Sequence, residues 1–144
     1  MSDDQPGYSD MLVLDTSAVM AVLADEPTRP SILSAVAGHD LIAPSSIVAE
    51  VGNGWSSLLK RGLATAEQAR SALRSFRSMS LDLIEIDLLA SIELVVDLRV
   101  YAYDAYPIAC AIATDLPLLS LDRGQRHAAK LAGVRLIDLY PFPS

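Results

Sequence analysis

The chain has 144 residues, of which 51% are hydrophobic, and its 18 acidic and 11 basic residues give a formal charge of −7. This length is typical of one domain with its own core, and a hydrophobic fraction this high excludes an intrinsically disordered chain. No apolar run reaches the ~20 residues that cross a bilayer, and a single cysteine excludes both an internal disulfide and a cysteine-based zinc site.

The first ten residues differ in character from the rest of the chain. They are polar and acidic, include Pro6 and Gly7, and lack the basic start and apolar middle of a signal peptide. We expect a loose N-terminal tail over 1–10 and a single domain over 11–140, since no repeat or linker divides the remainder. A cytoplasmic location is the default expectation for such a chain.

Short apolar segments alternate with helical segments over the expected domain. The segments that predict strands are 11–14, 41–43, 81–86, 117–120 and 134–137. The segments that predict helices are 17–24, 31–37, 46–60, 66–78, 88–100, 104–114 and 123–131. Thr65 and Gln68 match a capping box at the start of the fourth helix. This alternation predicts an α/β fold, with a central, mostly parallel sheet between two layers of helices (a three-layer α/β/α architecture).

Asp15 directly follows the first predicted strand, and Thr16 and Ser17 come next at the turn into the first helix. In open α/β sheets, ligands bind beyond the carboxyl ends of the strands. Asp15 is therefore a candidate metal ligand, supported by the hydroxyl groups of Thr16 or Ser17. The alternative is structural, because any of these three residues could cap the following helix.

Glu50 is the only charged residue between Asp40 and Lys60, and Asn53 shares its predicted helix face. A buried acid among apolar residues needs a cationic partner, which a metal ion would supply. A solvent-exposed acid needs no partner. The sequence leaves both interpretations of Glu50 open.

Asp104 and Asp122 lie at the predicted starts of two helices. Asp104 fits an N-cap followed by Pro107 in the first turn, where a missing N–H costs little. Asp122 lies two residues past the strand at 117–120, and Ser120 lies on its side of the extended segment. A cap and a metal ligand cannot be told apart at either position from sequence.

The four acids together are more informative than any one of them. Each lies at a strand end or a helix start, and neighbouring carboxylates would not all ionise without cations. Hard oxygen ligands select Mg²⁺ or Mn²⁺, and such sites activate water for in-line displacement at phosphorus. His39 and His127 lie in unrelated segments, which disfavours a histidine-based nuclease or zinc site. The candidate ligands are Asp15, Glu50, Asp104 and Asp122.

These motifs as a set resemble a PIN domain and, more narrowly, the VapC toxins of type II toxin–antitoxin systems. The motifs are residues 14–17, Glu50 with Asn53, residues 103–106 and residues 120–122, so the resemblance runs from Met11 to about Leu139. The resemblance implies a metal-dependent endoribonuclease that cuts RNA phosphodiester bonds with an activated water. It also implies a homodimer and a VapB-type antitoxin that blocks the active-site groove.

The resemblance also implies a role for each matching position. The four acids match the metal-binding acids of the family, and Thr16 or Ser17 and Asn53 match its supporting polar residues. Ser120 matches a hydroxyl position that often holds threonine. Pro107 departs from the pattern, and this departure affects the expected start of the helix rather than the assignment of Asp104.

Basic residues are placed unevenly, although the overall charge lacks the basic character of most nucleic-acid-binding proteins. Arg123, Arg126 and Lys130 form a stripe that begins beside Asp122, and we expect it to contact RNA phosphates. A solvated helix face is the alternative for this stripe. Arg70, Arg74 and Arg77 form a second basic stripe on one face of the fourth predicted helix, and a solvated helix face is the alternative there too.

Two further expectations concern partners and activity. A hydrophobic fraction of 51% suggests apolar surface covered by another chain, with the predicted helix after Ser45 as a candidate contact. The main alternative to an enzyme is a catalytically silent PIN-like binding or assembly module. The presence of all four acids favours the enzyme.

Overall fold

A computed structural model describes residues 10–139, so the expected tail up to residue 9 and the chain after 139 lie outside the described residues. The described strands are β1 Met11–Leu14, β2 Asp40–Pro44, β3 Leu81–Ile84 and β4 Leu118–Leu119. The described helices are α1 Thr16–Leu23, α2 Arg29–Val36, α3 Ile47–Lys60, α4 Ala66–Ser78, α5 Leu88–Leu98, α6 Ala102–Thr114 and α7 Arg123–Leu131. Within this range no helix is both long and apolar enough to cross a membrane.

The four strands form one parallel sheet in the order β3-β2-β1-β4. Val13 pairs with Ile42 of β2 on one side and with Leu118 of β4 on the other. Because β1 and β4 are neighbours and parallel, their carboxyl ends lie at one edge of the sheet. The Asp15 N–H donates to Leu119 O at 3.0 Å, which brings the segments after the two strands together.

Helices cover both faces of the sheet. Leu12 and Leu14 point to one face and join a buried cluster with Trp55 of α3, whereas Val13 points to the other and packs with Ile108 of α6. Burying a leucine or valine fully contributes about 1.5–3 kcal/mol, so the two clusters account for much of the driving force for folding. The predicted three-layer α/β/α fold is confirmed.

Two boundaries differ from the prediction at places that matter for the site. Helix α6 begins at Ala102, because the N–H groups of Asp104 and Ala105 both donate to Tyr101 O. Asp104 therefore lies in the first turn of α6 and is not its N-cap, which corrects the expectation. The strand predicted at 134–137 is reduced to a single bridge between Leu118 and Leu136. Its neighbour β4 has only two residues with which it could pair.

The other helix starts follow from local chemistry. Asp15, and neither hydroxyl residue after it, is the N-cap of α1. Helix α2 begins two residues earlier than predicted, with Pro30 in its first turn, where proline is well tolerated. The predicted capping box of α4 is present, with Thr65 and Gln68 exchanging side-chain and backbone hydrogen bonds.

Candidate active site

Asp15 is the N-cap of α1, which is one of the two roles that the sequence left open. It directly follows β1 and is almost fully buried. Its role as a metal ligand stays a prediction. Three donors converge on Oδ2: the N–H of Ser17 at 3.1 Å, the hydroxyl of Ser17 at 2.6 Å and the hydroxyl of Ser120 at 3.3 Å. Such donors fix the orientation of the carboxylate.

Ser17 and Ser120 connect Asp15 to the segment that carries Asp122. Ser17 Oγ accepts from the N–H of Leu121 at 2.9 Å, and Ser120 Oγ accepts from the N–H of Asp122 at 3.1 Å. Ser120 is fully buried. The two predicted supporting hydroxyls thus bridge α1 and the β4–α7 segment, across more than 100 positions of sequence.

Glu50, in the first turn of α3, is linked to the start of α1. Thr16 Oγ1 donates to Glu50 Oε1 at 3.1 Å. Burial raises the pKa of Glu50 above its ordinary value of 4.5, nearby Ser46 and Thr16 hydroxyls oppose this shift, and the charges of Asp15 and Asp104 add to it. Ser46 Oγ is buried and, within residues 10–139, makes no hydrogen bond of good geometry, so its effect on Glu50 is one of proximity. Glu50 is therefore half-buried and close enough to two other acids to sense their charge.

Asp104 and Asp122 face the same edge of the sheet from α6 and α7. Burial raises the pKa of Asp104, and the charges of Asp122 and Asp15 raise it further. Asp122 is exposed and is the N-cap of α7, where its Oδ1 accepts from the N–H of Gln125 at 2.9 Å. The charges of Asp15, Asp104 and Asp122 therefore each act on the pKa of Glu50, of Asp104 or of both.

The four carboxylates are the groups that could bind a hard divalent ion. The four side chains offer only oxygen ligands, which suit Mg²⁺ and Mn²⁺. Within residues 10–139, the ion pairs of basic side chains go to Glu67, Asp115 and Asp138 and do not reach the four acids. In the same range, no three or more of the histidine, cysteine and acidic side chains are arranged closely enough to hold a metal ion as they stand. The chemistry fits such an ion, but the carboxyl groups would have to move closer together to bind it.

Asn53, the other predicted supporting residue, is exposed on α3. Within the part of the chain that the structure describes, it makes no hydrogen bond to the acids. Its supporting role stays a prediction.

The basic stripe on α7 divides into two kinds of residue. Arg126 is largely buried: it donates to Ser120 O and Ile137 O, both at 3.1 Å, and pairs with Asp138 at 2.8 Å. These contacts hold α7 against the β4 segment. Arg123 and Lys130 are exposed, so the prediction of phosphate contacts stays with those two residues.

The sequence analysis missed Gln125. It is 2% exposed and lies between Asp104 and Asp122. A signal was present, because Gln125, Ala128 and Ala129 have the spacing of one buried helix face, and a glutamine on such a face needs a polar partner.

Most of the chain matches a known protein family. The PIN domain family model matches residues 12–131. No protein of curated function matches the chain in sequence.

Several solved structures share the fold. VapBC2 from Rickettsia felis, bound to a DNA fragment from its promoter, is 18% identical with a TM-score of 0.66, over 90% of this chain and 98% of that one. FitAcB from Neisseria gonorrhoeae is 17% identical with a TM-score of 0.64, over 89% and 97%. VapC20 from Mycobacterium tuberculosis, a toxin that cleaves the sarcin–ricin loop, is 15% identical with a TM-score of 0.61, over 81% and 94%. At these identities the likeness establishes a common fold.

Proposed function

The chain belongs to the PIN-domain family, and on that premise we propose that it is a metal-dependent endoribonuclease and the toxin of a VapBC-like toxin–antitoxin pair. PIN domains are generally nucleases, and two of the similar structures are VapC or VapBC proteins. A role for all four acids is part of this proposal.

One observation carries the proposal: a connected set of hydrogen bonds joins the segments of all four acids. Thr16 holds Glu50, and the adjacent Asp15 is held by Ser17 and Ser120. From there Ser120 accepts from the Asp122 N–H, and Gln125 bonds both to Asp122 and to the backbone of Asp104. A helix cap alone requires no such network, whereas a site that must hold several carboxylates near one another does.

The proposed chemistry follows from the donor set. When bound, Mg²⁺ or Mn²⁺ would supply an activated water and stabilise charge at the phosphorus being attacked. Asp15, Glu50, Asp104 and Asp122 would hold the ion. Glu50 Oε1 is occupied by the Thr16 hydroxyl, so its Oε2 is the atom we assign to accept a proton from the attacking water.

The antitoxin partner is part of the same proposal. A cavity of about 620 Å³ lies among α1, α3 and α4 and is lined by Leu23, Trp55, Leu58 and other side chains. Trp55 is largely buried, at 4% exposed, and forms one wall of this cavity. An apolar segment of the antitoxin would fill the cavity.

A homodimer is proposed on the strength of exposed apolar side chains on α5. Leu88, Leu89, Ile92 and Val96 are each exposed and recur at helical spacing. A contiguous apolar stripe of this kind is unusual on a monomer and is typical of a surface covered by another chain. The expected contact helix after Ser45 also has exposed apolar side chains, at Val48 and Leu59.

The test is cleavage of generic RNA by purified protein in Mn²⁺. We expect cleavage that EDTA abolishes and that Asp15→Asn reduces by at least ~100-fold, a size typical of lost metal ligands and their supports. Asp97→Asn, at an exposed position on α5, is the matched control and should cleave like the wild type. Growth arrest on expression, relieved by co-expressing a neighbouring small gene, would test the toxin role.

One observation favours the non-catalytic alternative, a PIN-like binding module. Within residues 10–139 the acids are not yet spaced to hold a metal ion. Calorimetric titration with Mn²⁺ separates the two functions, because a binding module needs no metal. Folded wild-type protein that neither binds Mn²⁺ nor cleaves any RNA would favour the module.

A further inference from the structure

Gln125 is a buried amide on the inner face of α7, among small apolar side chains. It is 2% exposed, and Ala128 and Ala129 lie on the same buried face. Burying an amide is unfavourable unless its polar atoms find partners. The partners of Gln125 therefore indicate what this side chain does.

Two hydrogen bonds donated by Gln125 go to segments that carry acids. The side-chain Nε2 donates to Asp104 O at 3.1 Å, and the backbone N–H donates to Asp122 Oδ1 at 2.9 Å. The orientation of the amide is determined, because a carbonyl oxygen only accepts and so must face the NH₂ group. One residue thus connects the first turn of α6 with the N-cap of α7.

The first turn of α6 needs such a support because of Pro107. Proline has no N–H, so the carbonyl of Tyr103 cannot accept the hydrogen bond that residue 107 would otherwise donate. The turn that carries Asp104 therefore has one intrahelical bond fewer than an ordinary helix. The bond from Gln125 adds a constraint from outside the helix at that turn.

We propose that Gln125 is a positioning residue that fixes Asp104 relative to Asp122 and so sets the affinity of these two carboxylates for a divalent cation. This inference depends on the function proposed above. It goes further by assigning a role to a residue that touches neither the ion nor the RNA. Residues that orient metal ligands commonly affect metal affinity as strongly as some ligands do.

The amide oxygen of Gln125 allows a positioning role to be distinguished from a purely structural one. Gln125 Oε1 is buried and has no hydrogen-bond partner within residues 10–139. A buried acceptor without a donor is unfavourable for folding, so the amide is not optimised for stability. Replacing it with an apolar side chain of similar size removes this unfavourable atom together with the bond to Asp104.

The experiment compares Gln125→Met with the wild type, and with His127→Met as a control at an exposed position of the same helix. The affinity for Mn²⁺ is measured by calorimetry in the absence of RNA. The melting temperature is measured in EDTA, and the rate of RNA cleavage is measured as a function of Mn²⁺ concentration. We expect Gln125→Met to bind Mn²⁺ about tenfold more weakly. Its melting temperature in EDTA should be equal to or above that of the wild type, and higher Mn²⁺ should restore part of its cleavage. His127→Met should match the wild type throughout.

Three other results would contradict the positioning role of Gln125, and each has a different meaning. Wild-type Mn²⁺ affinity in Gln125→Met would overturn the positioning role and leave the nuclease proposal intact. A lower melting temperature in EDTA, with loss of activity that matches the loss of folded protein, would assign Gln125 a structural role instead. Wild-type protein that does not bind Mn²⁺ would overturn the nuclease proposal and this inference with it. If Gln125→Met does not fold, Gln125→Leu, also without an amide, takes its place.

Discussion

Ser120 Oγ lies 3.3 Å from Asp15 Oδ2, although the two residues are 105 positions apart in the sequence. Ser120 is fully buried and its hydroxyl also accepts from the Asp122 N–H. One hydroxyl group therefore connects two of the four candidate ligands. The contact exists because β1 and β4 are parallel neighbours, so the residues that follow them meet at the same edge of the sheet.

This contact predicts a clear difference between two substitutions of Ser120. Ser120→Ala removes a donor to Asp15 and leaves the Asp122 N–H without its acceptor. We expect it to lower the free energy of unfolding by about 1–3 kcal/mol and to weaken RNA cleavage. Ser120→Thr keeps the hydroxyl and should retain more of both. The measurements are chemical denaturation and initial rates of cleavage, and equal effects of the two substitutions would show that the hydroxyl is not what matters.

Glu50→Gln should stabilise the protein in EDTA at neutral pH. Burial raises the pKa of Glu50 above 4.5, so the folded chain holds this proton more tightly than the unfolded chain. Stability is therefore lost as pH rises from the ordinary pKa through the raised pKa. A glutamine carries no charge and avoids this loss, so its advantage should vanish near pH 4.

The measurement for this prediction is the melting temperature of both proteins in EDTA across that pH range. Glu93→Gln, at an exposed position on α5, is the control and should change little. Added Mn²⁺ should stabilise the wild type more than Glu50→Gln, because a ligand stabilises the state that binds it. A lower melting temperature for Glu50→Gln at pH 7 in EDTA would contradict the electrostatic argument.

Arg123 and Lys130 predict a salt-dependent contribution to RNA binding. Both are exposed on α7, which begins beside Asp122. Replacing both with alanine should raise KM for RNA and reduce the slope of log affinity against log salt by about 1–2, since each lost phosphate contact removes roughly 0.7–0.9 of that slope. Lys60→Ala at the end of α3 is the control. An unchanged salt dependence would mean that this stripe is only a solvated helix face.

The apolar stripe on α5 predicts the site of self-association. Leu89→Glu together with Val96→Glu places charge on two side chains that are 73% and 66% exposed. Since exposed positions tolerate charge in a monomer, the folded chain should keep its stability while a dimer dissociates. Light scattering at micromolar concentration measures this, with Leu131→Glu, at an exposed position on α7, as the control. Wild-type protein that is already monomeric would contradict the dimer, and a double variant that remains dimeric would place the interface elsewhere.

Local chemistry was enough for most of the elements. The apolar run at 11–14 and the capping box at Thr65 and Gln68 predicted β1 and the start of α4 correctly, because both signals depend on neighbours within a few residues. The alternation of strands and helices predicted the parallel sheet for the same reason. Where a boundary depended on which of several possible caps is used, as at Asp104, the prediction was wrong, since two backbone hydrogen bonds to the carbonyl of Tyr101 decide it.

The sequence by itself determined which residues are acids at strand ends and helix starts, and hence which chemistry the chain can offer. Only the tertiary structure decided that Thr16 holds Glu50, that Ser120 contacts Asp15 and that Gln125 lies between Asp104 and Asp122. The physical reason is that these contacts join segments far apart in the chain. Their existence depends on strand order and helix packing, which no local pattern specifies.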